Sequence, residues 1–89
     1  MTHGWKLELS AEFIKALRKL DRPAQQRIKD YLDGVVASGD PRSRGKGLTA
    51  NFADYWRYRV GDYRVIAEIT DTTLTIVAIA VGHRGNIYS

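Results

Sequence analysis

The sequence predicts an α+β domain in the order β-α-α-β-β-β, a mainly antiparallel sheet with a two-helix hairpin packed on one face. Three patterns predict it. Trp5-Lys6-Leu7-Glu8-Leu9 alternates apolar and polar residues, the period of a strand. Residues 11–37 then place apolar residues at helical spacing, broken once at Asp21-Arg22-Pro23. From Tyr55 the alternation returns on both sides of a Gly61-Asp62 turn, and 74–82 follows as a strand apolar on both sides, suited to a central place in the sheet. With 89 residues, the chain is expected to form one domain over 1–89 with a modest core.

Each element has its own signals. The first strand should turn Trp5, Leu7 and Leu9 inward. Ser10 is a good cap for a helix over 11–20, whose apolar stripe is Phe13, Ile14, Leu17 and Leu20. Pro23 fits a first helical position, and the second helix runs over 23–37 with Ile28, Tyr31, Leu32, Val35 and Val36 on one stripe. Gly39 ends it and Pro41 prevents continuation. The connection between the helices is short, so they should pack antiparallel. Residues 41–53 read as a loop anchored by Leu48 and Phe52. Its segment Arg42-Ser43-Arg44-Gly45-Lys46-Gly47 has the composition of a solvated linker, and also of a strip that wraps a phosphate backbone.

The register of the hairpin follows from its turn. With Gly61 and Asp62 as the loop, Val60 faces Tyr63, Arg59 faces Arg64, Tyr58 faces Val65 and Arg57 faces Ile66. Arg57, Arg59 and Arg64 then project from one side. Trp56, Tyr58, Val60, Tyr63 and Val65 project from the other, and the aromatics 55, 56, 58 and 63 are read as core. Like charges directly opposed on a sheet cost about 0.2–1 kcal/mol. An Arg59–Arg64 pair therefore calls for an anion, or for solvent to screen it. A second turn at Asp71-Thr72 would set Ile69 against Leu74, Ala67 against Ile76 and Val65 against Ala78. Thr75, Val77, Ile79 and Val81 would then share the arginine face. Gly82 and Gly85 bracket His83 and Arg84 at the end of this last strand.

Composition narrows the chemistry. The chain has no cysteine, which excludes disulfides, thiolate nucleophiles and zinc–cysteine sites and suits a reducing cytoplasm. No apolar leader stands in the first nine residues, and the longest apolar run, 76–81, is far too short for a bilayer. A cytoplasmic protein with no membrane contact is the expectation. No His/Asp/Glu spacing indicates a metal, Gly45-Lys46-Gly47 lacks the context of a phosphate-binding P-loop, and no cofactor is expected. Lys and Arg number 14 against 10 Asp and Glu. Through residue 40 there are seven bases and six acids; beyond it there are seven bases and four acids. The excess lies in the second half and is mostly arginine, suited to bidentate phosphate contacts.

The run Tyr-Trp-Arg-Tyr-Arg-Val-Gly-Asp-Tyr-Arg-Val-Ile at 55–66, with Val-Gly-His-Arg at 81–84 and Ile-Tyr at 87–88, resembles the RelE family of toxins from bacterial and archaeal toxin–antitoxin systems. The resemblance implies an endoribonuclease that enters the ribosomal A site and cuts bound mRNA. It implies a cognate, RelB-like antitoxin that wraps and blocks the toxin, and a hetero-oligomer held on operator DNA through the antitoxin. Arg57 and Arg59 match the two basic positions of the first hairpin strand, often lysine in the family. Arg64 matches the phosphate-contacting arginine, Arg84 the arginine assigned as proton donor, and Tyr88 the tyrosine that stacks on a base. The stretch from Arg84 to Tyr88 is shorter than in the best-known members. Arg42, Arg44 and Lys46 become candidate RNA contacts.

RNA can be cut without metal when its own 2′-OH attacks the adjacent phosphorus. A catalyst must take the hydroxyl proton, stabilise the phosphoryl charge and protonate the leaving 5′-oxygen. Arginines supply the second. They do not supply the first, because a guanidinium stays protonated below about pH 12. His83 titrates near neutrality and is the candidate general acid or base, with Arg84 as clamp or proton donor. Two other readings use the same residues: a non-enzymatic ParE-type toxin acting on DNA gyrase, and a basic binding module without catalysis.

Overall fold

Ser10 ends one element and begins the next. The computed structural model describes residues 4–47, 55–70 and 75–83. Strand β1 is Lys6–Leu9. The Ser10 hydroxyl accepts from the Phe13 N–H at 3.0 Å, and its own N–H donates to the Ala78 carbonyl at 2.9 Å. One residue thus caps helix α1, Ala11–Arg18, and ties its start to the sheet. The helix ends two residues before Leu20 because the Lys19 and Leu20 N–H groups donate to Ala16 and Leu17, three residues back, and tighten the last turn. Asp21 caps the second helix, its carboxylate accepting from the Ala24 N–H at 3.1 Å. Helix α2 runs Arg22–Ser38, with Pro23 in its first turn and Gly39 at its C-cap.

The remaining strands are β2 (Lys46–Gly47), β3 (Tyr55–Val60), β4 (Tyr63–Thr70) and β5 (Thr75–His83). Among the described residues they form one sheet in the order β1-β5-β4-β3-β2. The β2–β3, β3–β4 and β4–β5 pairs are antiparallel, and β1 lies parallel to β5. The helices cover one face. There Phe13, Ile28, Leu32 and Val35 pack against Tyr58, Val60, Val65, Ala67, Ile76, Ala78 and Val81, all at most 9% exposed.

The β3–β4 register is the one the Gly61-Asp62 turn predicts, from Val60 opposite Tyr63 to Arg57 opposite Ile66. Gly61 takes φ 61°, the left-handed conformation such a turn requires. Five expectations are corrected. The β4–β5 pairing starts with Thr70 opposite Thr75, so Ile69 faces Ile76 and Ala67 faces Ala78, two residues from the expected partners. The chain between them, 71–74, lies outside the described residues. A bulge then shifts the register between Ile66 and Ala67, so Val65 faces Val81. Val81 therefore joins the core on the helix side, not the arginine face. Tyr55 alternates with Arg57 and Arg59 and stands opposite Glu68, so it belongs to the open face, half-buried. Leu9, opposite Ala78 on β1, is 39% exposed because no strand among the described residues flanks it on the outer side. Finally, the loop after Pro41 contains β2, a two-residue edge strand. The expected anchors Leu48 and Phe52 lie outside the described residues.

Candidate functional site

The face of the sheet opposite the helices carries the cations in ranks set by strand register. One rank is Arg59 on β3, Arg64 on β4 and Gly82 on β5. The next is Lys46 on β2, Arg57 on β3, Ile66 on β4 and Ala80 on β5. A third sets Tyr55 and Glu68 beside Val77 and Glu8. Lys46, Arg57, Arg59 and Arg64 thus gather toward the hairpin-turn end, while Glu68, Glu8 and, beyond them, Lys6 stand toward the other end.

The expected facing pair is present: Arg59 is opposite Arg64. Arg59 is exposed, while Arg57 and Arg64 are half-buried. The Arg64 Nε is buried and has no hydrogen-bond partner among the described groups. A buried charged donor left unpaired is costly, about 1–3 kcal/mol or more, and an acceptor arriving from outside relieves that cost. Gly45, Lys46, Arg57 and Arg59 line an open cleft of about 250 Å³ on the β2–β3 side of this face. Ile66, in the middle of the face, is only 7% exposed and gives the ranks an apolar floor.

The basic loop divides. Lys46 joins the cation face through its pairing with Arg57. Arg44 turns to the helix side, where its guanidinium lies 5.2 Å from the Tyr31 ring centre. Arg42 is exposed. The loop is no free linker. The Tyr58 hydroxyl donates to the Pro41 carbonyl and the Trp56 indole N–H to the Arg44 carbonyl, each at 2.5 Å. The Tyr31 and Tyr58 rings meet at 5.9 Å. Burial first, then the neighbouring Tyr31, pushes the Tyr58 phenol well above its ordinary value near 10. Sequence reasoning missed this pinning. Its signal was the small residues at 45 and 47 set against bulky aromatics at 56 and 58. Arg27 is a second omission: its Nη1 would stand 2.8 Å from a Cβ built on Gly61, so α2 brings another guanidinium to the hairpin turn.

At the end of β5 the bulge changes the order of positions. Gly82 pairs with Arg64, and the His83 backbone pairs with Tyr63. The His83 side chain, Arg84 and Tyr88 lie outside what the structure describes.

The site thus sits on a mixed sheet with one helix-covered face and one cationic face. The chain is similar to the toxin of the RelBE2 complex from Mycobacterium tuberculosis, with 23% identity, 97% of each chain covered and a TM-score of 0.81. It is similar to isolated RelE from E. coli, with 22% identity, 92% of this chain and 86% of that one covered and a TM-score of 0.76. E. coli YafQ is similar too, with 16% identity, 96% and 99% covered and a TM-score of 0.71. These likenesses establish the fold. Curated proteins give no sequence match. Over residues 7–88 the sequence matches the family described as the ParE toxin of the type II toxin–antitoxin system parDE. The chain belongs to that family, within the RelE/ParE superfamily, and is a type II toxin with a RelE-like fold.

Proposed function

We propose that this toxin is a ribosome-dependent endoribonuclease that binds mRNA on the open face of its sheet and stops translation. The observation that carries this reading is the convergence of Lys46, Arg57, Arg59 and Arg64 on one face, including the directly opposed Arg59–Arg64 pair. A polyanion offsets their repulsion. In the proposed reaction the 2′-OH attacks phosphorus, the P–O5′ bond breaks, and a 2′,3′-cyclic phosphate and a 5′-hydroxyl result. Arg57, Arg59 and Arg64 hold the phosphate and its developing charge. The proton leaving the 2′-OH needs a group other than a guanidinium. His83 is the proposed acid or base, Arg84 the clamp or proton donor to the 5′-oxygen, and Tyr88 the stacking partner of a base. Arg42 is proposed as an outer contact to the message, whereas Arg44, turned to the helix side against Tyr31, is not. A RelB-like antitoxin is the proposed natural inhibitor, and the cytoplasm the proposed site of action.

The family match favours a second reading, in which the protein poisons DNA gyrase without cutting RNA. Mapping mRNA 5′ ends in a translation extract separates the two. Codon-phased cuts that appear only on translated message are expected. Intact message together with inhibited gyrase supercoiling would replace the first reading with the second.

A further inference from the structure

Lys46 reaches the cation face only because the loop before it is held in place. Gly45 has φ 78°, and a Cβ there would stand 2.3 Å from the Arg57 carbonyl oxygen, 2.9 Å from Trp56 Nε1 and 3.0 Å from Tyr58 Cδ1. The backbone at 45 is therefore pressed onto β3 in a conformation and a space that admit glycine. Just before it in the chain, Trp56 holds the Arg44 carbonyl and Tyr58 holds the Pro41 carbonyl. Arg44 stacks on Tyr31, and its Nη1 would lie 3.4 Å from a Cβ on Gly34. Five contacts thus fix a segment whose sheet pairing, among the described residues, is two residues long. Without them, so short an edge strand has little to hold its register.

We infer that this clip builds a second phosphate subsite next to the scissile one: Lys46 forms it with Arg57, which is shared with the scissile-phosphate site of Arg59 and Arg64. The inference rests on the reading of the face as an RNA-binding surface. Arg57 and Arg59 are two residues apart on β3, about 6.7 Å along the strand. That is of the order of one step between adjacent phosphates on an extended single strand. The cleft lined by Gly45, Lys46, Arg57 and Arg59 lies where the second phosphate would sit. Trp56, through the Arg44 carbonyl, is a positioning residue: its ring is on the helix side of the sheet and acts on the ligand only by placing Lys46.

The test measures binding of a single-stranded RNA bearing 2′-deoxy sugars, which cannot be cut, over a series of salt concentrations. The slope of log K against log salt reports the phosphates neutralised, about 0.7 per phosphate. Lys46→Ala should reduce the slope by about 0.7. Trp56→Phe, which keeps a ring and loses the N–H, should reduce it in the same direction without touching a charge, with an unchanged circular dichroism spectrum. The double variant K46A/W56F should match K46A alone, whereas K46A/R59A should lose more than either single variant. A normal slope for K46A alongside a reduced slope for R59A overturns the second subsite and leaves the RNA reading standing. Normal slopes for both remove the RNA reading of this face. A K46A/W56F slope below that of K46A shows that Trp56 does not act through Lys46, and overturns the clip.

Discussion

Arg59 and Tyr58 are neighbours in sequence with opposite duties, and each makes a prediction. Arg59 is exposed and faces a like charge. Arg59→Ala should abolish growth inhibition while leaving folding stability unchanged or raised by about 0.2–1 kcal/mol, measured by urea unfolding. A variant that arrests growth at the wild-type level would remove the facing pair from the site. Tyr58 is fully buried and donates to the Pro41 carbonyl. Its phenol is raised above the unfolded value, so the neutral form favours the fold: that contribution is complete below about pH 10 and is lost as the pH rises above it. Tyr58→Phe should cost about 0.5–1.5 kcal/mol at neutral pH. It should also flatten the alkaline fall in stability. An equally steep fall in the variant would assign that fall to other groups. At this scale the sequence was legible wherever alternation decided the matter. Arg57, Arg59 and Arg64 share a face as expected, and Tyr58 faces the core. Tyr55 was misplaced only because it was grouped with the aromatics beside it and not by its parity.

At the scale of elements, what was legible depended on what pins a register. The Gly61-Asp62 turn admits one pairing, so β3–β4 was derived residue for residue. The β5 sequence gave no such hold. Val77, Ala78, Ile79, Ala80 and Val81 are all apolar, so a slip or a bulge moves no polar residue into the core and leaves no trace in the pattern. The bulge nonetheless has a consequence at the site, because it makes Gly82 the partner of Arg64 and pairs the backbone of residue 83 with Tyr63. Strand β2 was hidden for a different reason: two residues carry no periodicity, and its place is set by contacts to residues 31, 56 and 58. The helices were legible through their caps. Ser10→Ala should cost about 1 kcal/mol, seen as a lower urea midpoint with an unchanged slope. Gly45→Ala should cost more, since it combines a left-handed backbone with a Cβ pressed onto the Arg57 carbonyl. A loss of about 1–3 kcal/mol is expected, and an unchanged midpoint would show that the loop is not held as described.

Across the whole molecule the helices bury one side of the sheet, and the opposite side is left to charge. The formal net charge is +4, and four of the cations stand on the open face at the turn end. The fold keeps Arg59 against Arg64 although separating them would favour stability, so an occupied site should be more stable than an empty one. Pyrophosphate offers two linked phosphoryl groups of the kind the two ranks would bind. At constant ionic strength it should raise the melting temperature of the wild-type protein by several degrees. A ligand at ten times its Kd adds about 1.4 kcal/mol, and about 1 kcal/mol moves the midpoint of a domain this size by roughly 4–8 °C. Anions of this kind also stabilise proteins generally by exclusion from their surface, and that effect does not depend on one arginine. The deciding quantity is therefore the difference between wild type and Arg59→Ala. A smaller gain in the variant assigns the stabilisation to the facing pair, and through it the tension in the sheet to a ligand. Equal gains would show that solvent alone screens the two guanidinium groups, and the open face would then need another explanation for its charge.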